Sequence, residues 1–104
     1  MGKEIIWSKD ALCHLEDIHF YIFFESKSIT IADKVVNTIF DSTEILKTQP
    51  EIYKIDKQKV NNDGNFRVYS VYEYSISYQI TIDSIYILRV RHNARKSKKH
   101  SWKV

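Results

Sequence analysis

From Asn65 to Lys99 the chain reads NFRVYSVYEYSISYQITIDSIYILRVRHNARKSKK, three strand-like runs parted by two short breaks and followed by a basic tail. Side chains on a strand alternate between faces, so such runs fold as successive antiparallel strands with one apolar and one wet face. Residues 75 to 81 alternate cleanly, with Ile76, Tyr78 and Ile80 set against Ser75, Ser77, Gln79 and Thr81. The following run carries Arg89 and Arg91, and the hairpin loop decides which face they join. A loop of Ile82, Asp83 and Ser84 sets Thr81 opposite Ile85. It aligns Ile80, Tyr78 and Ile76 with Tyr86, Leu88 and Val90, and it pairs Gln79 with Ile87, Ser77 with Arg89 and Ser75 with Arg91. A shorter Asp83-Ser84 turn is the commoner type, but it would place both arginines among buried isoleucines, where unpaired charge is costly.

The preceding hairpin is read by the same logic. With Val71 opposite Ser75 across Tyr72, Glu73 and Tyr74, the residues Phe66, Val68 and Ser70 face the core, while Arg67, Tyr69 and Val71 face out. The wet face then gathers Arg67, Arg89 and Arg91 with Tyr69, Ser75, Ser77 and Gln79. Guanidinium groups with interleaved hydroxyls suit phosphate. An ordinary solvated face with incidental arginines presents the same pattern.

Upstream, Glu4 to Ser8 reads as a first strand, and Ser8 as the N-cap of a helix from Lys9, with Asp10 favoured in its first turn. Ala11, Leu12, Leu15, Ile18 and Ile22 form its apolar stripe. After a break at Glu25 to Ile29, Thr30-x-x-Asp33 resembles a capping box. Ala32, Val35, Val36, Ile39, Phe40, Thr43 and Leu46 then keep helical spacing over four turns until Pro50. Two helices with one stripe each, and a sheet with one apolar face, predict an α+β fold. Its order is an N-terminal strand, a two-helix hairpin, then an antiparallel three- to four-stranded sheet with the helices on one face. Glu51 to Val60, carrying Lys54, Lys57 and Lys59, reads as extended, and Asn61 to Gly64 as a turn with Gly64 at positive φ. A length of 104 residues predicts one domain, 1–104, with 93–104 as its basic tail.

The net charge of +3 is a mild bias, but its distribution is lopsided: most Lys and Arg lie from Lys54 onward, and Arg89 to Lys103 contains no acid. The lone Cys13 excludes an internal disulfide and a Cys-based zinc site, and its helical setting predicts a packed thiol. No apolar run approaches the ~18 residues of a membrane span, and the N-terminus lacks a secretory-signal pattern. A cytoplasmic protein is the expectation. His14 and His19 are spaced wrongly for a helical metal pair, and no Gly-rich phosphate loop is present, so neither metal nor cofactor is expected.

His92 is the residue suited to proton transfer near neutral pH. It ends the last strand beside Arg91, although strict alternation sends it with Val90 to the helix side, and an isolated His is more often structural. Cleavage of RNA by its own 2′-hydroxyl needs a base, an acid and cationic stabilisation of the phosphate. Lys54, Lys57, Lys59, Arg67, Arg89, Arg91 and His92 could supply these roles. They could equally grip an acidic protein.

The element order, together with Leu46 and Pro50, Arg67, Ile76-Ser77-Tyr78 and the closing Ile85-Tyr-Ile-Leu-Arg-Val-Arg-His92-Asn-Ala-Arg95, resembles the RelE/ParE superfamily of type II toxins over residues 4 to 96. The His92-x-x-Arg95 ending is similar to that of ParE-type and plasmid-stabilisation toxins. The resemblance implies a small toxin held by a cognate antitoxin in a hetero-oligomer. RelE-like members cut mRNA in the ribosomal A site without a metal, whereas ParE-like members poison DNA gyrase and are not known nucleases. Carried over by position, Arg67, Arg91 and His92 would be catalytic, and Lys54, Lys57, Lys59, Arg89 and Arg95 would hold RNA phosphates. No Tyr follows His92, and +3 is low for a RelE-like nuclease. The ending leans toward ParE and the lysine cluster toward an RNase. The expectation is therefore a toxin acting by ribosome-dependent mRNA cleavage, an endoribonuclease that inhibits translation. The alternatives are a gyrase poison and an inactive relative that only binds antitoxin.

Overall fold

The computed structural model describes residues 2–57 and 62–93. Lys59, Asn61 of the expected turn, and the tail from residue 94 onward, Arg95 included, lie outside the described residues. The chain runs β1 (Glu4–Trp7), α1 (Lys9–Ser26), α2 (Ile29–Asp41), a 3-10 turn (Glu44–Lys47), β2 (Lys54–Ile55), β3 (Phe66–Val71), β4 (Tyr74–Ile80) and β5 (Ser84–His92). The strands form one five-stranded sheet in the order β1-β5-β4-β3-β2. The expected α+β arrangement is present with two additions. β1 lies parallel to β5, and Lys54–Ile55 extends the far edge as a short antiparallel strand.

Local chemistry accounts for the helix ends. Ser8 caps α1 by accepting from the Ala11 amide at 3.0 Å. Lys27 closes it in a left-handed conformation, φ 60°, donating its amide to Phe23 O. That turn leaves Ser28, not Thr30, at the head of α2, where its Oγ accepts from the Ile31 amide at 3.2 Å. Asp33 does not reach back to the cap; it pairs with His19 across the hairpin at 2.7 Å. The second helix also ends earlier than its apolar spacing suggests. Ser42 Oγ donates to Ile39 O and Thr43 Oγ1 to Phe40 O, at 2.6 and 2.9 Å. Such back-bonding competes with the helical ladder, so the chain tightens into the 3-10 turn that seats buried Leu46.

Ala11, Leu15 and Ile18 of α1, with Ile39 and Leu46, pack on Tyr69, Tyr74, Ile76, Tyr78, Ile80, Ile85, Ile87 and Val90 of the sheet. Cys13 is exposed rather than packed, because two residues on from Ala11 it is rotated by about 200° around the helix.

Register is where the sheet departs most from expectation. The β3–β4 connection is a tight turn at Tyr72 and Glu73, with Val71 opposite Tyr74 and Tyr72 at φ 55°. Ser70 therefore faces Ser75, Val68 faces Ser77 and Arg67 faces Tyr78. This is one residue away from the expected pairing, and a one-residue slip exchanges the faces of a strand. Tyr69, Val71 and Arg67 turn inward, while Phe66, Val68 and Ser70 turn outward. In the second hairpin Ile80 faces Ile85 and Tyr78 faces Ile87. A bulge at Leu88 then shifts the register, so that Ser77 faces Arg89, Ile76 faces Val90 and Ser75 faces Arg91. The expected pairing thus holds beyond the bulge and fails at the tip. Burial decides it. The tip as built buries both Ile85 and Ile87 at 0% exposure and leaves Tyr86 outside, each isoleucine being worth roughly 1.5–3 kcal/mol.

Candidate partner-binding face

The face of the sheet away from the helices carries a row that crosses four strands. Lys54 pairs with Val68, Val68 with Ser77, and Ser77 with Arg89. At about 4.8 Å per strand the row spans about 14 Å. A second row, Ser70, Ser75 and Arg91, lies alongside. Between them is a hollow of about 580 Å³, lined by Val68, Ser77 and Leu88, to which Lys54, Lys57, Arg89 and Arg91 contribute cations and Asp56 a carboxylate. Arg89 and Arg91 are exposed and form no ion pair with another described residue. Asn93 ties the end of β5 down: its Oδ1 accepts from Ser75 Oγ and its amide donates to Glu73 O at 2.7 Å. An open, net cationic, largely pre-formed concavity, whose two guanidinium groups make no ion pair with a described residue, is equipped to hold an acidic segment.

Arg67 is not part of this face. Its inward side chain donates from Nε to Gly64 O at 2.8 Å and from Nη1 to Tyr53 O at 2.8 Å and Glu51 O at 3.3 Å. Here residues 50–53 cover the inner face of the sheet. Tyr78 reaches the same segment through its hydroxyl, which donates to Pro50 O at 2.6 Å. Tyr53 stacks on Tyr69 at 4.1 Å between centroids, and Tyr69 meets Tyr78 edge-on at 5.9 Å.

His92 faces Tyr74, a core residue, across the ladder. Its ring stands edge-on to Tyr74 at 5.0 Å, its Nε2 lies 3.4 Å from Glu73, and its side chain is 8% exposed. It borders the hollow at the strand end, but its ring belongs to the inner layer. Of the residues singled out from sequence, the structure gathers Lys54, Lys57, Arg89 and Arg91 on one surface and turns Arg67 and His92 to the other. Lys59 and Arg95 lie outside the described residues. Leu88 and Asn93 were missed. A bulge and an anchoring amide carry no pattern of their own in an alternating run.

The tyrosine cluster has a measurable signature. Burial pushes the Tyr69 hydroxyl up to about 12, against the opposing hydrogen bond from Ser42. Burial likewise pushes Tyr78 up to about 12, although the Arg67 charge beside it pulls the other way. These phenols stay neutral in the fold while ionising near pH 10 in the unfolded chain. Stability should therefore be unaffected below pH 10 and fall as pH rises from 10 through 12, by on the order of 2 kcal/mol per tyrosine. In a spectrophotometric titration, Tyr69 and Tyr78 should ionise well above pH 10, near pH 12 or as the protein unfolds. All seven tyrosines ionising together in a folded protein would contradict this.

The sequence profile of the family described as "ParE toxin of type II toxin-antitoxin system, parDE" matches residues 5–97. The chain belongs to the ParE toxin family of type II toxin–antitoxin systems. A chain in the chromosomal ParDE toxin–antitoxin system of P. aeruginosa shares the fold, with a TM-score of 0.73 at 17% identity, over 88% of this chain and 96% of that one. A chain in the toxin–antitoxin complex RelBE2 of Mycobacterium tuberculosis superimposes with a TM-score of 0.58, also at 17% identity, over 88% of this chain and 99% of that one. No curated protein matches the sequence. No helix among the described residues is long and apolar enough to cross a membrane.

Proposed function

We propose that this toxin acts by binding, in the ParE manner, trapping DNA gyrase on cleaved DNA, and that a cognate antitoxin neutralises it by laying an acidic segment along the outer sheet face. The observation carrying this reading is the separation of Arg67 from Arg89 and Arg91, together with the packing of the His92 ring into the inner layer. RNA cleavage requires a base, an acid and phosphate-stabilising cations converging on one phosphate. Of the described residues expected to fill those roles, Arg67 lies on the opposite face of the sheet from Arg89 and Arg91, and the His92 ring is packed inward at the edge of their hollow. Asp56 and the edge of His92 stand at the hollow with Lys54, Lys57, Arg89 and Arg91, but Arg67 is engaged with backbone carbonyls on the other face, an arrangement that suits recognition better than chemistry. The family match and the ParDE likeness favour the same alternative over ribosome-dependent cleavage. Purified toxin mixed with gyrase and supercoiled plasmid should accumulate gyrase–DNA cleavage complexes, and expression should induce DNA-damage signalling. Translational arrest with normal supercoiling would overturn the proposal.

A further inference from the structure

Beyond Trp7, which pairs with Ile87, β1 has ended, and no other described strand lies beside the outer edge of β5. It is here that β5 bulges. Two backbone groups of that edge are met by side chains of α1 and its cap. Ser8 Oγ donates to Leu88 O at 3.0 Å, and the Val90 amide donates to His14 Nδ1 at 3.1 Å. The Ser8 amide also donates to Ile87 O at 3.0 Å. The bulge matters for the outer face in a specific way. Were the tip register of Ile80 with Ile85 and Tyr78 with Ile87 continued, Ile76 would face Arg89 and Tyr74 would face Arg91. Both arginines would then share the inner face with buried Ile76 and Tyr74. The extra residue at Leu88 reverses this, giving Ser77 with Arg89 and Ser75 with Arg91.

We propose that His14, helped by Ser8, is a positioning residue for Arg89 and Arg91, clamping the bulge that turns both guanidinium groups outward. The inference deepens the binding reading above, since it names what orients the cations on which that reading rests. The clamp requires a particular form of the ring. To accept from Val90, Nδ1 must be bare, so the neutral ring carries its proton on Nε2. An unmet Val90 amide would destabilise the bulge relative to the continued register, because an edge amide without a partner opens readily.

The test is made on the full-length protein by nuclear magnetic resonance. His14→Leu removes the acceptor at similar bulk, and should make the Val90 amide exchange about tenfold faster. It should also weaken or split the cross-strand signals joining Ser77 to Arg89 and Ser75 to Arg91. His14→Asn, whose Oδ1 sits near the position of the ring Nδ1, should restore both. A His14→Leu protein that keeps Val90 protected in a single register would overturn the proposal. Should that variant fail to fold, the wild-type ring answers by itself: a bare Nδ1 with protonated Nε2 supports the clamp, and a proton on Nδ1 defeats it. None of these signals depends on toxicity, so failure of the clamp and failure of the binding reading are read separately.

Discussion

Replacing Arg89 and Arg91 together with glutamate is expected to weaken binding of the cognate antitoxin by about 100-fold or more, with the fold unchanged. Both side chains are exposed and make no ion pair with a described residue, so their loss removes no contact on which the described fold relies. Against an acidic segment, each charge-assisted hydrogen bond contributes about 1.5–3 kcal/mol, and reversal adds repulsion to that loss. Calorimetric titration with purified antitoxin measures the effect directly. The wild-type affinity should fall with added salt, and the salt slope should flatten in the double variant. Undiminished affinity after reversal would mean that apolar contacts elsewhere hold the partner.

Arg67→Ala should behave in the opposite way, losing stability rather than recognition. The guanidinium group holds the carbonyls of Gly64, Tyr53 and Glu51, and so pins residues 50–53 over the inner face. Charge-assisted bonds of this kind, partly replaced by water in the variant, imply a loss on the order of 2–3 kcal/mol. Denaturant unfolding should show a lower midpoint, and antitoxin affinity measured well below the unfolding temperature should change less than threefold, under about half of a factor-of-ten energy. An Arg67→Ala protein of unchanged stability that no longer binds would place this side chain on the recognition surface after all.

The contrast between these arginines also marks how far the sequence could be read. Alternation at Ile76, Tyr78 and Ile80 was legible, since all three are buried. The α1 cap at Ser8 was legible because its side chain bonds locally. The outward placement of Arg89 and Arg91 followed from the cost of burying them, and that argument holds beyond the bulge. Arg67 defeated the same argument because its compensation is non-local. Carbonyls 14 and 16 residues away reach it, so a charge that looked too costly to turn inward is satisfied there. The tip of the second hairpin was misread for a related reason. Ile85 and Ile87 could both be buried only by inserting Leu88, and the backbone groups left at the edge are met by Ser8 and His14, some 80 and 76 residues distant. Tyr72 at positive φ gave no turn signal either, since glycine or asparagine is the usual marker of such a position. His92 was legible in direction, its alternation with Val90 pointing to the helix side, where the ring lies against Tyr74.

The division of the basic residues between two faces is best tested on message itself. Purified toxin incubated with programmed ribosomes, at toxin in excess over ribosomes, should leave the mRNA uncut, while the same preparation accumulates cleaved DNA with gyrase. Message cut in the ribosomal A site, with the cleavage abolished by Arg67→Ala or His92→Ala in proteins that remain folded, would contradict it.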